Sequence, residues 1–310
     1  MLPFFSLNQR MMVKSRIFIW GFALFGVLFL AHSAYGQANQ EKAWQALNQL
    51  NQIRQTHGLS AIIMDERLNE IAKTMAINAI ETKQNPSIKR IKAKTLLKQF
   101  NFPYRRLSVM FQANNLAPDR FIKKISDGAK SQRVLLHPLM SHIGIYADDS
   151  AVKSTNGDGT LWGLIFVEPN FQADGDWHEK VTLFVNQFRA QHGLPPLAIN
   201  QRLDKAARNF SRRMALDDFI AHKAPEGDRV GDRTRMSGYH YQQVMENLHG
   251  GSNTARGAVD AWIQSKKGHR EAMLNKENKE MGIGYYYLPF DEGKARSVHY
   301  WTLIMANPAS

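Results

Sequence analysis

The 310-residue sequence predicts an α+β fold built twice along the chain, and three observations carry that expectation. NQIRQTHGL at Asn51–Leu59 returns as NQFRAQHGL at Asn186–Leu194, and Arg67-Leu68 returns as Arg202-Leu203 at the same offset of 135. Such self-similarity at one spacing marks a repeated structural unit. Each half also opens with apolar residues at helical spacing and closes with a glycine-containing strand followed by a Trp-containing apolar run. Helices leading into a late antiparallel pair describe a layered α+β domain and exclude a doubly wound parallel sheet.

In chain order, residues 1–36 come first. Arg10, Lys14 and Arg16 precede an apolar run from Ile17 to Leu30, and Ala34-Tyr35-Gly36 supplies small residues before Gln37. That pattern is expected of a secretory signal peptide cut before Gln37. The run is shorter than the roughly 20 residues of a membrane-spanning helix, and no later segment is long and apolar enough to span. The expected location is therefore outside the cytoplasm, periplasmic or secreted. The chain has no cysteine, so an exported form would fold without disulfides and would rely on full-sized cores.

Residues 37–168 form the first expected domain. Trp44, Leu47, Leu50 and Ile53 recur at helical spacing, and IGIY at Ile143–Tyr146 leads to LWGLIFV from Leu161. Pro, Gly and Asp in EPNFQADGD mark residues 169–176 as a linker. In residues 177–310, Val181, Phe184, Val185 and Phe188 repeat the first helix, and Leu203, Ala206, Ala207, Phe210 and Met214 supply a second. MGIGY at Met281–Tyr285 and HYWTLIMA from His299 are the closing strands. His57 and His192 each precede a glycine at a helix end, where they are expected to cap.

The formal net charge of +13 would fall to +10 without the three basic leader residues. Outside the cytoplasm that surplus suits anionic headgroups or acidic envelope polymers. Lys89, Arg90, Lys92, Lys94 and Lys98 are spread round a helix without interleaved aromatics, a poor nucleic-acid signature.

The polar candidates of the second half are His222 in FIAHKAP, Glu246 in MENLHG, Ser265 in WIQSKKG and His269 in GHREAML. They stand too far apart for a short-range metal motif. On residue type alone His222 reads as a surface histidine and Glu246 as a capping residue or the partner of a basic residue. With Gly268 as N-cap, His269 is the first helical residue and the helix dipole disfavours its cation; a nearby Glu246 would act the other way. Glu271 reads as a helix-start carboxylate, Trp262 and Trp301 as core or cleft-wall aromatics, and His240 and His249 as loop residues near the site. No serine has a GxSxG context, which argues against a serine hydrolase.

The ordered features, NxxRxxHGLxxL, then His222, ENL, a Trp helix, GHRxxxL and a G-I-G strand, resemble the CAP superfamily, also called SCP-like domains. The resemblance covers about Asp176–Pro308 closely and Gln37–Glu168 loosely. It implies a three-layer α-β-α sandwich with a small antiparallel sheet and a central cleft, in two copies. It further implies that His222, Glu246 and His269 meet there and can hold a divalent metal such as Zn²⁺. Ser265 departs from the pattern, standing where many eukaryotic members carry a second Glu. Two imidazoles and one carboxylate would suit an open Zn²⁺ site, and losing one carboxylate weakens it.

The first half lacks these groups. At offset 135 Ser87 stands opposite His222 and Phe111 opposite Glu246, and aligning Gly144 with Gly282 sets Ser131 opposite His269. Residues 37–168 therefore read as a degenerate copy. The functions this leaves are an extracytoplasmic binding protein for an envelope, host or lipid ligand, a metal-assisted hydrolase using the same cleft, or lipid or sterol capture.

Overall fold

A computed structural model describes the backbone of residues 19–82, 86–152 and 159–310, and the side chains of 37–79, 92–149 and 159–310. The expected signal peptide lies outside these described side chains, and residues 1–18 lie outside the described backbone. Among the described residues no helix is long and apolar enough to cross a membrane. The chain divides into two compact units, residues up to 94 with 107–167, and residues 95–106 with 168–310.

The first stretch runs α1 (Ile19–Thr56), β1 (Ile63–Met64), α2 (Glu66–Thr82), α3 (Pro86–Gln99), β2 (Tyr104–Asn114), α4 (Pro118–Ser126), α5 (Ala129–Leu135), β3 (His142–Val152) and β4 (Gly159–Pro169). The strands form one sheet in the order β1-β3-β4-β2. One core joins Leu47 and Leu50 of α1 with Phe121 and Ile122 of α4 and Trp162 and Phe166 of β4. Phe121 stacks on Trp162 at 4.5 Å. Trp44, expected on the buried face of α1, is 46% exposed, and Ala43 and Ala46 are buried in its place.

The second unit runs α6 (Trp177–Ala190), β5 (Ala198–Ile199), α7 (Gln201–Leu216), α8 (Val230–Met236), β6 (Tyr241–Gly250), α9 (Ala255–Gln264), α10 (His269–Met273), β7 (Glu280–Tyr287) and β8 (His299–Pro308). Its sheet order is β5-β7-β8-β6. Side chains alternate across a strand, so Met281 and Ile283 of β7 and Trp301, Leu303 and Met305 of β8 join Val181, Val185 and Trp262 of α6 and α9 in one core. Ile304 and Ala306 face the other way, onto Leu203, Ala206 and Ala207 of α7. This is an α-β-α layering. The sheet is mixed, whereas the sequence led to an antiparallel one: β5 pairs β7 in parallel through Ala198↔Glu280 and Ile199↔Met281. Two residues are too few for the alternation that would reveal a strand in the sequence.

Several details recur in the two units. A Cβ on Gly144 would lie 2.1 Å from Leu68 O, and one on Gly282 would lie 2.1 Å from Leu203 C, so each sheet lets a helix backbone rest against it. Arg54 donates to Ser60 O, Leu135 O and His137 O. Arg189 donates to Pro195 O, Met273 O and Asn275 O. His57 and His192 each place Nδ1 2.8 Å from the carbonyl four residues back, Ile53 and Phe188, as expected of capping residues. Sheet order and these bonds match Leu135 with Met273, which sets Ser131 opposite His269. The turns entering β2 and β6 also correspond, through Phe102 N–H to Leu97 O and Tyr239 N–H to Thr234 O. That equivalence sets Val109, rather than Phe111, opposite Glu246. Ser87 begins a helix, α3, while His222 lies in the irregular stretch 217–229, so the Ser87 alignment does not hold locally.

The segment expected as a linker, residues 169–176, is packed against the second unit. Tyr285 OH accepts from Ala173 N at 3.0 Å and so donates to His299 Nδ1 at 2.9 Å, while His299 Nε2 donates to Asn170 Oδ1 at 2.8 Å. Both nitrogens of a fully buried imidazole are thereby satisfied in the neutral form. Burial, aided by the Arg105 charge, lowers the His299 pKa from 6.5 to about 4. Since the unfolded chain binds this proton near 6.5, the contribution is complete above that pH and is lost as pH falls towards 4, roughly 3 kcal/mol at most. Denaturant titrations between pH 7.5 and 4 should show a decline in stability that is clearly shallower in His299→Gln.

Candidate functional site

The site gathers at β6, an edge strand of the second sheet. Leu248 packs towards Phe210 and Met214 of α7, and by strand alternation Glu246 faces the same side. Its neighbour Asn247 faces the other side, where Nδ2 donates to His269 O at 2.9 Å. One strand thus contributes to the site from both faces. His222 arrives from the irregular stretch before α8 and His269 from α10.

Glu246 is the best-held member. Its side chain is 1% exposed, and an ionised carboxylate at such depth needs partners. Arg233 of α8, itself 5% exposed, donates Nη2 to Oε2 at 2.7 Å. His222 Nδ1 lies 3.0 Å from Oε1. A carboxylate only accepts, so the shared proton sits on Nδ1 and Nε2 is turned from the acid, on a side chain 54% exposed. Arg233 also donates to Asp228 Oδ2, Asp228 O and His222 O and lies 3.4 Å over the Phe210 ring. It therefore holds both the carboxylate and the backbone of the histidine.

His269 is the first residue of α10, with Gly268 at its N-cap in the left-handed region at φ 89°. The rings of His222 and His269 are 6.1 Å apart between centroids. Burial lowers the His269 pKa, helped by His222 and Lys267 and opposed by Glu271. Of the two influences weighed from the sequence, the carboxylate that counts is Glu271, because Glu246 is committed to Arg233 and His222. His249, on β6, has its pKa lowered by burial and then by His269, and its Nε2 lies 2.7 Å from Ser252 Oγ. His240 is exposed just before the strand. Trp262 and Trp301 are buried in the core. Ser265 ends α9, and its Oγ accepts from Lys267 N at 3.1 Å.

Of the three side chains named from the sequence, His222 bonds Glu246 and its ring lies 6.1 Å from that of His269 between centroids. Both Glu246 oxygens are engaged, and freeing one would strand a buried guanidinium or the imidazole proton. Among the described residues no three His, Cys, Asp or Glu side chains are grouped to hold a metal ion. The donors present do not fit a three-ligand divalent site. Arg233 and Asn247 were missed as site residues. Asn247 sits inside the ENL motif, which could have signalled it, but Arg233 is one of three arginines in Arg229–Arg235 and nothing in the sequence separates it from the others.

Residues 183–305 match the family described as the Cysteine-rich secretory protein family, CAP. This part of the chain carries a CAP domain. The chain is 33% identical over 109 residues to uncharacterized protein YkwD of Bacillus subtilis, covering 35% of this chain and 42% of that protein. It is 26% identical over 125 residues to the human Golgi-associated plant pathogenesis-related protein 1, covering 36% of this chain and 74% of that one. An extracellular protein containing a SCP domain from Bacillus anthracis has a TM-score of 0.38 at 16% identity over 69% of this chain and 70% of that one, too slight a likeness to bear on the site. The chain spans less than half the length of its Bacillus subtilis relative. The matched residues hold His222, Arg233, Glu246, Asn247 and His269.

Removing one member of a buried ion pair typically costs about 3–5 kcal/mol, while replacing both by apolar groups costs far less. Arg233→Met should destabilise by that amount, and Arg233→Met with Glu246→Leu should be more stable than Arg233→Met alone, read from urea midpoints.

Proposed function

We propose that the chain is an exported binding protein that takes its ligand at the β6 cleft of its CAP domain, and that residues 37–168 are a degenerate copy retained for packing or interaction. The observation that carries this is the Arg233–Glu246–His222 chain. A carboxylate held on both oxygens orients an imidazole whose Nε2 is left for a ligand, beside a second imidazole on α10. The degenerate copy is supported by the shared sheet order and by the Arg54 and Arg189 bonds, with Ser131 and Val109 standing opposite His269 and Glu246. Export is supported by the Arg10–Gly36 pattern. An envelope, host or lipid molecule is the class of ligand that this location would present.

The metal-assisted hydrolase is the weaker reading, because the engaged Glu246 is neither a ligand nor a free base. Chain expressed with residues 1–36 is expected outside the cytoplasm with Gln37 as its N-terminus by mass spectrometry. Cytoplasmic retention with those residues intact would overturn the export reading. Calorimetric titration of the purified chain with Zn²⁺ should show no stoichiometric site; a stoichiometric site abolished by His222→Ala and by His269→Ala would restore the metal reading.

A further inference from the structure

The sequence led to a site made for cations, with imidazoles and acids converging. The pocket beside His269 has a different character. It occupies about 380 Å³ between the end of α9, the turn into α10 and strand β6, and its lining includes His249, Trp262, Ser265, Lys266, Lys267 and His269. That volume lies within the range of small-molecule sites. No carboxylate is among the residues that line it. Glu246 is held by Arg233 and His222, and neither it nor Glu271, the acid nearest His269 in electrostatic effect, is among the lining residues.

The donors are unspent. Among the described residues neither Lys266 nor Lys267 is paired with a carboxylate, and both are exposed. Ser265 Oγ accepts from Lys267 N, so its own proton is left to donate. Leu248, Ala261 and Trp262 supply the apolar part of the wall, beside the polar Gln264. A cation entering here meets ammonium groups and no counter-charge. An anion meets two ammonium groups, a hydroxyl donor and the His269 imidazole, and the charge-assisted bonds from the ammonium groups are the strong ones.

We propose that this pocket binds an anionic group, a phosphate or carboxylate carried on a partly apolar molecule, and that a lining with Ser265 and two lysines but no acid is what makes it selective for anions. The inference rests on the reading of the β6 cleft as a ligand site and names the charge of its ligand.

The test titrates the purified full chain by calorimetry with hexyl phosphate, inorganic phosphate, hexylamine and Zn²⁺. Hexyl phosphate should bind one per chain and be displaced by inorganic phosphate. Lys266→Gln with Lys267→Gln should weaken it about tenfold or more, since it removes both charged donors. Ser265→Glu should abolish it while leaving the circular dichroism spectrum and urea midpoint near those of the unchanged chain. All these positions are partly or fully exposed, so the variants should fold. Cosedimentation with phosphatidic acid vesicles but not phosphatidylcholine vesicles would assign the anion to a lipid headgroup; binding of hexyl phosphate without cosedimentation would assign it to a free ligand. Hexylamine or Zn²⁺ binding that is lost in His269→Ala, with no phosphate binding, would overturn the anion proposal and leave the cleft reading standing. Binding of none of the four probes, and no vesicle binding, would overturn both.

Discussion

A guanidinium buried without a carboxylate has to be satisfied by carbonyl oxygens, and in this chain that requirement shapes the path to the site. Arg189 is fully buried, and leaving its donors without acceptors would cost several kcal/mol. It therefore gathers Pro195 O, Met273 O and Asn275 O, from the end of α6 and both sides of the α10 terminus. Because α10 is only five residues long, anchoring its last residue also places its first, His269. Arg54 imposes the same closure on the first unit, where the helix that ends at Leu135 begins with no histidine. The clamp is thus a folding device that a functional residue can use.

A second constraint acts on the opposite side of the same strand. Glu246 is too deeply buried to remain unpartnered, and Arg233 answers it from α8 while stacking on Phe210 of α7. The result is a fixed histidine, not an open set of ligands. The neighbouring Asn247 reaches through to the other face and bonds the His269 carbonyl, so two adjacent β6 residues tie the two imidazoles to one strand. What faces solvent beside His269 is then decided by α9 and its turn, with Ser265 and two lysines.

Much of this fold is legible in the sequence. The repeated NQxRxxHGL contains Asn51 and Asn186, which hold Ile62 and Leu197 in matching pairs of bonds, as well as the clamping arginines. Gly144 and Gly282 are readable as strand glycines, and the close helix approach explains them. Less legible were the two-residue parallel strands, the exposed Trp44 and the packing of residues 169–176. Each depends on partners distant in sequence: Asn170 meets His299, 129 residues away.

The sequence by itself determined the layered α+β class, through residue type and spacing, which a chain carries locally. It singled out His222, Glu246 and His269 as candidates only through the resemblance in motif order. Tertiary structure decided what Glu246 does. An acid in a sequence is an equal candidate for metal ligand, base or ion-pair partner, and only burial beside Arg233, 13 residues earlier in the chain, selects the last. The same holds for the pocket at His269: sequence places Ser265 and the lysines in a row, and only folding against β6 turns them into a wall without a negative charge.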